Sequence, residues 1–306
     1  MLWLLLAFMS AALLGCYDSF KKEALKSNAV IPVLFLNTLF SSLIFLPFIV
    51  LSAQTVLLDG TVFHVGQGGW AVHRYVVLKA FIVLSSWVLG YFGMKHLPLT
   101  IVGPINATRP VMVLIGALLV FGERLNGWQW AGVLLAIASF LLLSRSGKKE
   151  GIDFRHDHWI WMIVGAAALG AVSGLYDKYL MAPLESGGVG LDRMLVQSWY
   201  NIYQCGMMLC MLVLLWWPKH KETTAFHWHW SIIGVSLFLS AADFLYFYSL
   251  SLPDAMISIV SMIRRGSVVV SFLFGAIFFH EKNLKAKAFD LALVLLGMIF
   301  LYIGSK

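Results

Sequence analysis

Three arginines interrupt stretches that are otherwise apolar. Arg109 stands near the centre of residues 99–121, LTIVGPINATRPVMVLIGALLVF, and Arg264 and Arg265 stand at the same depth of a second stretch, residues 255–279. In a helix rising about 1.5 Å per residue, Arg109 is about 15 Å from the start of its stretch. That is the mid-depth of a hydrocarbon layer about 30 Å thick. A guanidinium facing lipid there costs at least ~2.5–3.5 kcal/mol, so it must face protein, water or a ligand. The chemistry it offers is anion recognition, because its planar fork fits carboxylate or phosphate. Arg264 and Arg265 are neighbours, about 100° apart on a helix, and cannot both aim the same way. Arg109 with Arg264 is the favoured pair for an anionic or zwitterionic ligand, with Arg265 a third candidate. The plainer alternative is arginines that tie helices together through carbonyls or an aspartate.

The carboxylates and tyrosines around them extend the candidate site. Asp243 lies 13 residues into an apolar stretch that begins at residue 230, deep enough to partner an arginine or carry a proton. Asp18 and Asp177 close a repeated GxYD, with Tyr17 and Tyr176 beside them, and read equally as gating or coupling groups and as interfacial anchors. Tyr91 and Tyr246 are candidates to line a cavity, each offering an apolar face and one hydroxyl. Pro104 and Pro110 in the first arginine stretch remove backbone donors and bend a helix, so Pro110 is a candidate hinge. Lys79 is about four residues inside its stretch and is read as snorkelling to the surface. Glu123 and Glu281, each followed by a base, are read as structural residues of a helix turn. Catalytic chemistry finds no support: there is no phosphate-binding glycine loop, and no histidine stands with a nucleophile. No cofactor or metal site is expected, since His227 and His229 are poorly spaced for a helical ligand pair and Cys16, Cys205 and Cys210 form no CxxC. The cysteines are read as small apolar fillers.

The elements that must position these groups are legible from composition. Of 306 residues, 60% are hydrophobic and only 12% charged, which fits a polytopic helical membrane protein and excludes a soluble one. The net charge of +7 is spread over connections and forms no basic block, so it signals no nucleic-acid partner. Ten spans are expected, near residues 2–18, 30–51, 75–94, 99–121, 127–143, 159–177, 194–217, 230–250, 255–279 and 287–303. The first is read as a retained helix, because no basic segment precedes it. Residues 52–74, with four glycines, are expected to form a mobile external loop, and the polar stretch 145–158 to be the linker between halves.

The halves repeat. GCYDSF at 15–20 returns as GLYDKY at 174–179, and SSWVLGYFGMKHLP at 85–98 as SAADFLYFYSLSLP at 240–253. Carried forward without a gap, the second alignment sets Arg109 opposite Arg264. Two copies of five spans have opposite senses in the membrane, the inverted-repeat plan of secondary transporters, whose site lies between the copies at mid-depth. The domains so expected are 1–146, a linker at 147–158, and 159–306. Lysines and arginines near the spans number thirteen on one side and five on the other, which places both termini outside. Paired tryptophans such as Trp128/Trp130 and Trp228/Trp230 fit interfacial belts.

A small-residue run closed by a glutamate, GALLVFGERL, returns near the end of the ninth span as FGAIFFHEKNL. With two five-helix halves, this resembles the EamA-type transporters of the drug/metabolite transporter superfamily, over nearly the whole chain. The resemblance implies an all-α polytopic membrane protein with a basket of helices around a central cavity, alternating access, and no enzymatic activity. It further implies a small metabolite as substrate, the lipid bilayer as surroundings, a bacterial inner membrane and a monomer or homodimer. Members commonly hold both termini in the cytoplasm, opposite to the charge count. An anionic or zwitterionic metabolite, resembling an amino acid or organic acid, is the expected substrate. A lipid-headgroup translocator and a non-transporting scaffold or sensor are the alternatives. A transporter requires a central cavity bounded by both halves and reached by the arginines; a scaffold requires every arginine paired in a dry core.

Overall fold

The computed structural model describes residues 2–109, 111–113, 115, 126–148, 156–181, 183–252, 260, 263–278 and 284–304. These hold ten α-helical segments and no strand: α1 (Leu2–Leu25), α2 (Val30–Gln54), α3 (Trp70–His96), α4 (Leu99–Ala107), α5 (Gly127–Lys148), α6 (His158–Met181), α7 (Arg193–Met211), α8 (Ser231–Ser251), α9 (Ser267–Ile277) and α10 (Leu284–Gly304). Among the described residues six helices are long and apolar enough to cross a membrane: α1, α2, α3, α6, α7 with its continuation to Lys219, and α8. The parts of the expected fourth and ninth spans beyond α4 and α9, with Pro110, Glu123 and Glu281, lie largely outside the described residues.

Helix ends differ from the expected ones in a way that matters for the site. α1 continues to Leu25 instead of stopping at residue 18, which puts Asp18 and Lys21 inside the helix rather than at its end. α6 likewise runs past Asp177 to Met181. α5 reaches Lys148, so the start of the expected linker is helical, while residues 149–155 lie outside the described residues. The ends are held by identifiable groups. Lys22 Nζ donates to the carbonyls of Met94 at 2.7 Å and Leu97 at 2.5 Å, satisfying acceptors left open at the end of α3. Asp192 caps α7 by accepting from the amides of Met194 and Leu195 at 2.8 and 2.9 Å.

The principal helix contacts join the first half of the chain to the second: α1 with α8 and α9, α2 with α7, α3 with α6, α4 with α9, and α5 with α10. Glycines allow several of these. A Cβ on Gly15 would fall 2.4 Å from Val270, one on Gly93 2.5 Å from Ile163, and one on Gly234 2.5 Å from Phe20. Without a side chain at these points α1, α3, α6, α8 and α9 approach closely. A buried polar seam joins α2, α7 and α8. Ser42 donates to the carbonyl of Asn201 at 2.8 Å, Ser236 to that of Asn37 at 3.2 Å, and Gln197 to that of Ser240 at 3.3 Å. Between helices surrounded by lipid, such bonds supply part of the attraction that apolar burial supplies in water.

Segment 55–69 departs from the mobile loop expected of its glycines. Phe63 stacks between Phe48 and Phe244, at 5.3 and 5.4 Å between ring centroids, and Arg193 donates to the carbonyl of Val62 at 2.7 Å. Val65 is buried, and its amide donates to Ser52 Oγ at 3.0 Å. The segment is tied to α2, α7 and α8.

Candidate functional site

Both helices that carry the arginines are interrupted beside them. α4 ends at Ala107, and Thr108 closes a turn onto the carbonyl of Ile105 with its amide at 3.2 Å and its hydroxyl at 2.7 Å. Arg109 follows directly. In the second half Gly266 closes a tight turn onto Ile263 at 2.8 Å, after Arg265 and before α9 begins. The first break accords with the bend expected of Pro104 and Pro110, the second was not expected, and Arg264 and Arg265 were expected to aim apart. Both face the same cavity.

That cavity has a volume of about 150 Å³ and is bounded by helices from both halves. From the first half come Tyr17, Asp18 and Lys21 of α1, Lys79, Ser86 and Tyr91 of α3, and Arg109. From the second come Gly170 and Asp177 of α6, Tyr200 of α7, Asp243 and Tyr246 of α8, Arg264 and Arg265, and the first residues of α9, Ser267 and Val268.

Three ion pairs organise the charges. Lys21 donates to Asp18 at 3.0 Å and to the hydroxyl of Tyr17 at 3.3 Å, and Ser271 of α9 donates to the other oxygen of Asp18 at 3.3 Å. Lys79 is paired with Asp177 between α3 and α6, and both side chains are nearly inaccessible. Arg264 is paired with Asp243, whose second oxygen accepts from the hydroxyl of Tyr200 at 2.8 Å; the guanidinium lies 4.2 Å from the Tyr246 ring centroid. Such burial is tolerable because each charge is met by its opposite, and Asp18 and Asp243 each by a further donor as well.

Arg109 and Arg265 are held differently. Arg109 makes one long contact, 3.5 Å to the carbonyl of Ala166, and its Nε is buried without an acceptor. Gly170 makes room for it, since a Cβ there would fall 2.6 Å from the guanidinium carbon. Among the described residues neither Arg109 nor Arg265 has a carboxylate within ion-pair distance.

Of the residues singled out from sequence, the cavity gathers Arg109, Arg264, Arg265, Asp243, Asp18, Asp177, Tyr17, Tyr91 and Tyr246. Tyr176 does not line it; its hydroxyl donates to the carbonyl of Tyr75 at 3.3 Å, and its ring packs on Tyr179. Pro110 lies outside the described residues. Sequence reasoning passed over Lys21 and Tyr200 and misread Lys79, which is buried in an ion pair instead of snorkelling. The signal for Lys21 was its place one turn after Asp18. Lys79 and Tyr200 carried no such signal, because their partners come from other helices.

No curated protein matches the chain. Among the matching solved structures is a crystal structure described only as that of a protein, 12% identical, with a TM-score of 0.66 over 98% of this chain and 96% of that one. At that identity the likeness speaks for the fold alone. Residues 1–145, just under half of the chain, match the EamA-like transporter family, as a member of the drug/metabolite transporter superfamily would, and the membrane-length apolar helices make the chain an integral membrane protein.

Proposed function

We propose that the protein is a secondary transporter for a small anionic or zwitterionic metabolite, working by alternating access between two inverted five-helix halves, residues 1–146 and 159–306. The observation that carries this reading is the cavity, which is bounded by both halves and holds Arg109 and Arg265 without carboxylate partners among the described residues. A scaffold has no reason to carry such charges unpaired at mid-depth. The helix contacts support the inverted arrangement. Exchanging the halves maps α1 onto α6, α2 onto α7, α3 onto α8, α4 onto α9 and α5 onto α10. The α1–α8 contact then becomes α6–α3, while α2–α7, α4–α9 and α5–α10 map onto themselves.

In this reading Arg109, Arg264, Arg265, Asp243, Tyr91 and Tyr246 bind substrate. Tyr17 lies with Asp18 and Lys21 towards the end of α1, while Asp177 with Lys79 lies towards the end of α6. Because the halves run in opposite senses, these two ion pairs sit at opposite ends of the cavity and act as gates. The proposed setting is a bacterial inner membrane with both termini outside, the protein being a monomer or homodimer.

Counterflow in proteoliposomes tests the function. Liposomes loaded with a panel of organic acids, phosphorylated metabolites and amino acids are expected to accumulate at least one labelled member. Arg109→Ala and Arg264→Ala are expected to lower that uptake at least about tenfold, the scale of one lost charge-assisted contact. Uptake undiminished in both variants would make the arginines structural and overturn the site.

A further inference from the structure

Arg109 and Arg265 set the charge that the cavity accepts. Resting on the transporter reading above, we infer that the substrate is a small dianion held between these two arginines, and not a monoanion or a zwitterion.

Among the described lining residues are five bases and three acids, and the geometry assigns each acid to one base. Asp18 is held by Lys21, Asp177 by Lys79, and Asp243 by Arg264. Asp18 and Asp243 are further engaged by Ser271 and Tyr200. Arg109 and Arg265 remain without an ion pair among the described residues; they line one cavity, close enough to act on each other, and share only the more distant field of Asp18. Two like charges among packed helices repel more strongly than in bulk water, and added negative charge relieves the repulsion. The start of α9 adds to the demand: its first residues, Ser267 and Val268, line the cavity at the positive end of the helix dipole.

A monoanion leaves one guanidinium uncompensated. A zwitterion brings an ammonium into a cavity whose carboxylates are all taken. A dianion matches both arginines and leaves the three ion pairs intact. The volume of about 150 Å³ limits its size. A cavity of that volume elsewhere holds benzene, so the ligand has on the order of six to ten heavy atoms. A short dicarboxylate and a small phosphate monoester share this chemistry, and the fork of arginine suits both.

The test pairs each dianion with the monoanion made by capping one charge. The purified full chain is titrated near neutral pH with succinate against monomethyl succinate, and with ethyl phosphate against diethyl phosphate. Alanine serves as zwitterion and glycerol as neutral probe, with binding read by calorimetry and thermal shift. One dianion is expected to bind at least about tenfold more tightly than its capped partner, and which pair shows the ratio tells dicarboxylate from phosphate. In Arg265→Gln that ratio is expected to collapse while the capped monoanion binds as well as, or better than, in the unaltered protein. A purely structural role for Arg265 would not produce that exchange. If the unaltered protein binds a capped monoanion or alanine as tightly as the dianion, the inference fails and the transporter reading stands. If no charged probe binds while the protein melts as a folded species, the anionic reading of the site fails and this inference with it.

Discussion

Lys79 and Asp177 are 3% and 8% exposed and meet across the contact between α3 and α6. An ion pair this deep is held together by mutual need: removing one partner leaves the other charged and desolvated, at a cost of about 3–5 kcal/mol, whereas replacing both by apolar groups is often close to neutral. Asp177→Asn is therefore expected to lower the thermal stability of the protein sharply, and the double variant Lys79→Met, Asp177→Leu to recover most of the loss. Melting curves of the three proteins in one detergent check this; a double variant no better than the single one would mean that the pair does not act as a closed unit. The GxYD repeat made Asp177 legible as important, but not its partner, because Lys79 lies 98 residues away and on another helix. Asp18 differs in this respect, since Lys21 follows it by one turn of α1 and their pairing is local.

Among the elements, segment 55–69 shows how composition misleads. Gly60, at a φ of 71°, gives the chain a conformation other residues avoid, and glycine content alone suggests mobility. Phe63 between two aromatic rings and Arg193 on the carbonyl of Val62 instead tie the segment down. Phe63→Ala and Arg193→Ala are expected to speed proteolytic cleavage within 55–69 severalfold without changing helix content, as seen by limited digestion and circular dichroism. Unchanged cleavage in the double variant would show that other contacts hold the segment. The interruptions at Thr108 and Gly266 were only half visible in sequence. Pro104 and Pro110 hinted at a bend in the first central helix, while the second breaks at a glycine that composition does not set apart from the other glycines of the chain.

Taken whole, the molecule buries its cavity by joining halves that are distant in sequence, α1 to α8 and α3 to α6 above all. The proposed inverted arrangement has a direct consequence for sidedness. With ten spans in two inverted halves, the segments 55–69 and 183–192, which follow α2 and α6, are expected on one side of the membrane, and 220–230, which follows α7, on the other. In a variant lacking Cys16, Cys205 and Cys210, single cysteines at Thr61 and Glu185 are expected to react with an impermeant maleimide from the same side, and one at Glu222 from the opposite side. Labelling of intact cells against open membranes distinguishes the two. Reaction of all three from one side would contradict the inverted halves. The same experiment decides between the charge count, which places the termini outside, and the orientation common in the family.

The sequence by itself determined the class of molecule, pointed to the family its first half matches and marked the arginines as residues to be explained. Each of these rests on local physics: an apolar run partitions into lipid by its own composition, and a guanidinium in the middle of one demands an explanation whatever surrounds it. Only the tertiary structure decided which arginine answers to which acid. Arg109 with Arg264 was the favoured pair in sequence, yet Arg264 is taken by Asp243, and Arg265, which helical spacing seemed to turn away, faces the cavity with Arg109. Charge pairing depends on which helix faces meet, and those meetings span most of the chain. The residual charge of the cavity is therefore a property of the packed molecule that no single stretch of residues contains.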